Sequence, residues 1–394
     1  VNHGNLHKEK MQRINKKGVF MKSKIACIAV LCFLFVSYGR VVWSLEQSPP
    51  LGLPSIPIPD ENPQSQEKID LGKRLFEDKR FSGDESVSCS TCHKPEKVFT
   101  DGLVVAEGIK NKKGTRNTPT VVNAGYYTTE FWDGRRSSLE EQAKDPFVNS
   151  VEHGLKDHSP IIKVIRSDSS YPEQFKKVFG IEPDAITIEH VVKAIASFER
   201  SLVSGDSPFD RYLYGNDKKA MSESAIRGLS IFRNKGRCVD CHTIGQTSAI
   251  FTDNDFHNLG VGFKKIEKNM FEIANKFRHA KEKGENIDEK ILTITESSEL
   301  GRFIVTLSPT DIGRFKTPAL RNIALTAPYM HNGSIKTLKE VVDLYNQGGE
   351  DNPLLDGGIR PLNLTDQEIK DLVAFMESLT SPGFAERDTK KGEK

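Results

Sequence analysis

Apolar residues along this chain recur mostly three or four positions apart. Ile188, Val191, Val192 and Ile195 make one such stripe, and Val341, Val342 and Leu344 another. That is the period of a helix with one buried face, and the strict alternation of a half-buried strand is scarce. The expected class is all-α. A charged stretch, residues 264–300, carries Ile266, Met270, Ile273 and Phe277 at helical spacing and interrupts the surrounding pattern like an insertion. One apolar run is continuous, Ile25 to Tyr38, behind the charged start Met21-Lys22-Ser23-Lys24. It is short for a membrane span and has the length of a secretory signal core. Val42-Trp43-Ser44 offers a cleavage site before Leu45, and residues 1–20 read as sequence upstream of the true start. The expectation is a periplasmic or otherwise exported protein with its signal peptide cleaved near Ser44. An uncleaved anchor is the alternative.

A repeat organises the rest. Gly72-Lys-Arg-Leu-Phe76 is answered by Gly228-Leu-Ser-Ile-Phe232, and Asn117-Thr-Pro-Thr120 by Lys316-Thr-Pro-Ala319. Phe131-Trp-Asp-Gly134 is answered by Met330-His-Asn-Gly333, and Leu139 by Leu338. The division that follows is an upstream and signal segment at 1–44, a Pro-rich leader at 45–65, an N-terminal domain at 66–215, a C-terminal domain at 216–380 and a polar tail at 381–394.

Each half holds one short pattern: Cys89-Ser-Thr-Cys92-His93 and Cys238-Val-Asp-Cys241-His242. C-x-x-C-H is the attachment site of a c-type haem, two thiols fixing the porphyrin and the His binding iron. A thioredoxin-type pair does not need the trailing His, and a zinc site would leave the long spacer unexplained. The remaining cysteines, Cys27 and Cys32, lie in the apolar leader. Two tandem cytochrome c-like domains, each with one covalent haem c, are therefore expected. With 56 Lys and Arg against 54 Asp and Glu, the chain has no strong field, which argues against a nucleic-acid partner.

The repeat also suggests that the two haems differ. Tyr345 lies fourteen residues beyond His331, and the equivalent place beyond Trp132 is Pro146. A phenol can close an iron; proline cannot. The first haem is then open and the second closed by Tyr345, with Met330 the rival ligand.

These motifs, with Gly114-Thr-Arg-Asn-Thr-Pro119, Phe131-Trp-Asp-Gly-Arg135, Phe256-His-Asn-Leu-Gly260 and Thr326-Ala-Pro-Tyr-Met-His-Asn-Gly333, resemble the bacterial dihaem cytochrome c peroxidase/MauG superfamily over essentially the whole mature chain. The resemblance implies several roles. Glu152 matches the family's catalytic acid–base, Gln142 its neighbour at the distal oxygen, and Pro146 the residue that keeps the site open. His153 is a weaker second base. Trp132 matches the bridge between haems. The position of the family's capping His is Ile109, so the first haem is expected to be five-coordinate without activation; Lys110, Lys112 and Lys113 are alternative ligands. His331 resembles a residue near the second haem rather than an iron ligand. Tyr at position 345 is the MauG branch's choice, where peroxidases usually place Met. A calcium is implied, held by the Asn117 side chain and the carbonyls of Thr326 and Pro328. Gly236 stands where MauG itself has a relay tryptophan, which weighs against radical transfer to a large protein by that route. The inserted stretch is expected to cover the second haem or to form a partner surface.

The expected function is reduction of hydrogen peroxide to water at the N-terminal haem, with electrons from a small donor cytochrome or other redox protein entering through the C-terminal haem. MauG-type oxidation of a partner protein's side chain is the alternative, and a dihaem electron carrier the second alternative. A homodimer is compatible with all three.

Overall fold

The structure, a computed structural model, describes residues 48–389; the expected signal segment lies outside them. The all-α expectation is met apart from one antiparallel ribbon, Phe256–His257 against Phe315–Lys316, in which Phe256 faces Lys316 and His257 faces Phe315.

Each half is built on a crossed pair of helices. In the first half, Gln66–Glu77 starts at Ser65, whose hydroxyl accepts from the Lys68 amide at 3.2 Å, and crosses Ile188–Ser201. In the second, Glu223–Arg233 crosses Asp366–Glu377, which opens with a Thr365/Glu368 capping box. The repeated glycines mark both crossings. A Cβ on Gly72 would stand 1.9 Å from the Ala194 carbonyl oxygen, and one on Gly228 1.9 Å from that of Asp371. The two backbones come this close only because neither glycine has a side chain.

Around these pairs the apolar stripes close separate cores. Leu71, Phe76, Phe147, Phe175, Val192 and Ile195 belong to the first, and Phe209, Phe232, Phe251, Val342, Leu372 and Phe375 to the second. Phe209 sits on the linking helix Pro208–Leu213. Its ring is buried in the second core, so this helix packs against the C-terminal half. The repeat extends to backbone conformation. Asn123 and Asn322 are left-handed at φ 64° and 59°, Phe131 and Met330 at 66° and 72°.

The inserted stretch forms the helices Met270–Glu282, Ile287–Thr293 and Thr295–Glu299 around a third small core containing Met270, Phe277, Ile291 and Phe303. The periodicity within 266–277 was a helix signal, although Ile266 itself lies before the helix, at the end of a 3₁₀ turn. The arm also meets the other half. It reaches back to the N-terminal half, where Thr115 Oγ1 donates to the Ile291 carbonyl at 2.7 Å and Arg116 to Ser298 at 2.8–2.9 Å.

Candidate active site

In the first motif a single helical turn, Cys89–Cys92, puts both thiols on one side, and the His93 amide closes it onto the Cys89 carbonyl at 2.9 Å. His93 Nδ1 donates to the Phe99 carbonyl at 3.1 Å. In the second motif the His242 amide reaches Cys238 O at 2.8 Å, and Nδ1 donates to Phe251 O at 2.9 Å. In both, the bond fixes the ring and leaves Nε2 for a metal. The four thiols are free and half-buried. Burial holds those of Cys92 and Cys238 up at about 12. Two free thiols beside a ring-locked imidazole are what a covalent haem requires, and the residues present fit that group.

The second motif opens on an apolar crevice that Tyr345, Met330, Trp132 and His331 also line. Tyr345 lies in the helix Leu338–Gln347, started by a Thr337/Glu340 capping box and ended at left-handed Gly348. Burial, then the nearby thiols of Cys238 and Cys241, push its phenol well above the ordinary value. It gives up its proton only to a strong cation. Met330, the rival, packs against the second core at a left-handed turn.

Trp132 Nε1 donates to the Asn117 carbonyl at 2.9 Å, and the Trp132 carbonyl accepts from the Lys316 amide at 2.8 Å. Trp132 is thus tied to both halves, by its indole to one and by its backbone to the other. Asn117, Thr326 and Pro328 line the same crevice, and the Asn117 amide donates to His331 O at 2.8 Å. The Asn117 side-chain nitrogen donates to Leu103 O at 2.8 Å, which leaves its oxygen for a cation. With the carbonyls of Thr326 and Pro328 it would make an oxygen-only donor set of the kind calcium takes.

Glu152 sits on a tight turn. Its amide and that of Val151 bond the Asn149 side chain at 3.3 and 2.9 Å, and its carbonyl accepts from the Ile109 amide at 2.9 Å. Its carboxyl lies within electrostatic reach of the thiols of Cys89 and Cys92 on one side. On the other lie Arg135, Asp145 and Asp288. Burial raises it to about 7; Arg135 pulls it down, and the two aspartates push it up. Gln142 ends the helix Leu139–Gln142, and Pro146 lies in the next, Asp145–Val148; both are half-buried. His153 turns elsewhere: Nδ1 donates to Phe81 O at 3.0 Å, its ring meets Phe147 edge-on, and burial lowers it to about 4. Ile109 is buried beside Gly154. Lys110, Lys112 and Lys113 are exposed, and Lys112 reaches the Ser150 carbonyl at 3.0 Å.

Three groups escaped sequence reasoning. Glu299, at the end of the inserted arm, bonds His331 Nε2 at 2.7 Å and Lys265 at 2.7 Å, and Phe315 stacks on the His331 ring at 3.6 Å. His257 stands between Asp356 and Asp253 at 2.8 and 2.9 Å; the Cys241 sulfur first, then the two carboxylates, raise it to about 10. Arg135, inside a quoted motif, is held by Asp133 at 3.1 Å and lies 3.4 Å from the Phe131 ring centre.

The family model described as "Di-haem cytochrome c peroxidase" matches residues 66–218, and the one described as "Cytochrome c" matches residues 225–380. The chain is 37% identical to the cytochrome-c peroxidase IdrP1 of Pseudomonas sp. (strain SCT), over 93% of each. It is 35% identical to the methylamine utilization protein MauG of Methylorubrum extorquens, over 82% of this chain and 81% of that one. Among solved structures, a MauG-like protein associated with microbial copper homeostasis superposes with a TM-score of 0.71 at 33% identity, covering 86% of this chain and 96% of that one. Two tandem cytochrome c-type domains, both motifs with ring-locked histidines, and these relatives agree: the chain belongs to the dihaem cytochrome c peroxidase/MauG family.

Proposed function

We propose that this oxidoreductase reduces hydrogen peroxide to water at a covalent haem c on Cys89, Cys92 and His93, and takes in electrons through a second on Cys238, Cys241 and His242. When bound, the haems supply the iron that accepts peroxide and the electrons that reduce it. Overall, peroxide takes two protons and two electrons and leaves as two waters. The chain's part is to move protons and hold geometry. Glu152 takes the proton from one peroxide oxygen and returns it to the other as the O–O bond breaks. An acid poised at about 7 exchanges that proton readily at neutral pH. Gln142 hydrogen-bonds the distal oxygen, and Pro146 offers no ligand atom there. Tyr345, beside the second motif, would supply a ligand to that haem's iron, and the Trp132 indole, lining the same crevice, would relay electrons between the haems. Asn117, Thr326 and Pro328 would hold a calcium ion, which would tie the loops of both halves together.

The observation that carries this reading is the placement of Glu152, within reach of the first motif's thiols on a turn anchored by its own carbonyl and by Asn149. Stopped-flow mixing of peroxide with the protein and a reduced small cytochrome tests it. Rapid cytochrome oxidation is expected; none at any donor charge would overturn it. MauG-type oxidation of a protein side chain is the second reading, favoured by Tyr345. Gly236 weighs against it: a Cβ there would stand 3.1 Å from Cys238 Sγ. The leader at 21–44 supports export to the periplasm.

A further inference from the structure

We propose that Asp288 and Glu289, carried by the inserted arm of the C-terminal half, are positioning residues for the peroxide site of the N-terminal half. This rests on reading Glu152 as the proton carrier. The arm could have closed on its own core, yet the helix Ile287–Thr293 aims its first turn at the loops that carry the chemistry. Asn286 caps that turn by accepting from the Glu289 amide at 3.0 Å, which fixes where both acids point.

The contacts fall directly on two segments and, through Arg136, on a third. Asp288 accepts from Arg135 Nε at 2.7 Å and from Arg136 Nη2 at 3.1 Å, three and four residues after Trp132. Arg136 in turn donates to Asp145 at 3.0 Å, next to Pro146. Glu289 accepts from the Ser150 hydroxyl, and from its amide at 3.3 Å, two residues before Glu152. One turn of helix therefore clamps the flanks of Trp132, Pro146 and Glu152 together. A strap that only stabilised the arm would have no reason to meet two of these flanks directly and the third through Arg136.

Charge gives the clamp a second effect. Arg135 lies between Asp133 and Asp288 and pulls the Glu152 carboxyl down. Asp288 pins that cation and adds its own negative charge, as Asp145 does. Asp288 thus governs both where Arg135 sits and how much of its charge the carboxyl feels.

The test uses the full-length holoprotein with Asp288→Asn, Asp288→Glu and Ser150→Ala, the last a small change that keeps the charges. Hydrogen exchange by mass spectrometry reads the 149–154 turn, and the pH profile of kcat/KM for peroxide reads Glu152. With Asp288→Asn, exchange in that turn should quicken several-fold. The acid limb should fall by about half a pH unit, the size of one charge several ångströms away. Asp288→Glu should restore both, and Ser150→Ala should change exchange alone. Unchanged exchange and an unchanged limb in a folded Asp288→Asn protein would overturn the proposal and leave Glu152 in place. Intact turnover in Glu152→Gln would overturn the Glu152 reading instead.

Discussion

Replacing Glu152 with Gln should separate activity from stability. The change keeps the side chain's size and removes its proton. Loss of one general acid–base group lowers turnover about 10²–10⁴-fold. Stability should move the other way. Burial lifts the carboxyl from its ordinary 4.5 to about 7, so the folded protein resists its ionisation. At about 1.4 kcal/mol per pH unit, a rise of about 2.5 sets a ceiling of about 3.4 kcal/mol. The side chain is only half-buried, so solvent screening reduces this to roughly 1–2 kcal/mol. The sign follows from linkage. For an acid with a raised folded value the penalty is absent below the unfolded value, grows between 4.5 and 7, and is complete above. Glu152→Gln should therefore melt higher than wild type at pH 8 and equally at pH 4. Parallel peroxide assays and thermal melts at the two pH values check both halves. Turnover within tenfold of wild type would refute the proton role. A stability gain as large at pH 4 as at pH 8 would refute the burial argument.

Gly228→Ala should destabilise the C-terminal half. Its Cβ would lie 1.9 Å from Asp371 O, forcing the helices apart. Overpacking of that kind outweighs the roughly 1 kcal/mol gained in helix propensity, for a net loss of about 1–3 kcal/mol in denaturant melts. Tyr345→Met should raise the second haem's potential by on the order of 100 mV or more in spectroelectrochemical titration, since axial ligands span about 0.8 V. No change would assign the ligand elsewhere. Chelation of calcium with EGTA should slow peroxide turnover in the wild type and do little in Asn117→Ala, which should already be slow; equal chelator response in both would remove Asn117 from the site.

The features legible in the sequence are those that a fixed register enforces. Cysteines two apart with a trailing His mark one turn of backbone, so Cys89 to His93 and Cys238 to His242 could be read as sites. The repeat carried the same logic to Pro146 and Tyr345, and Gly72 and Gly228 fall at the two helix crossings. Glu152 was legible only through resemblance, because a lone acid has no local signature. What escaped was pairing across distance. Asp288 meets Arg135 across 153 residues, and Glu299 meets His331 across 32. In a stretch this rich in charge, each reads alone as a solvated side chain. Phe209 was illegible for a related reason: polar residues around it resemble a linker, while its ring fills the second core.

The reach of the inserted arm also bears on when the protein becomes chemically competent. The segment that fastens the loops around Glu152 is synthesised well over a hundred residues after them. Contacts so far apart along the chain form late in folding. An emerging N-terminal half therefore presents its Cys89–His93 turn while the loops around Glu152 are still unfastened. Only a finished polypeptide, carrying Asp288 and Glu289, fastens them.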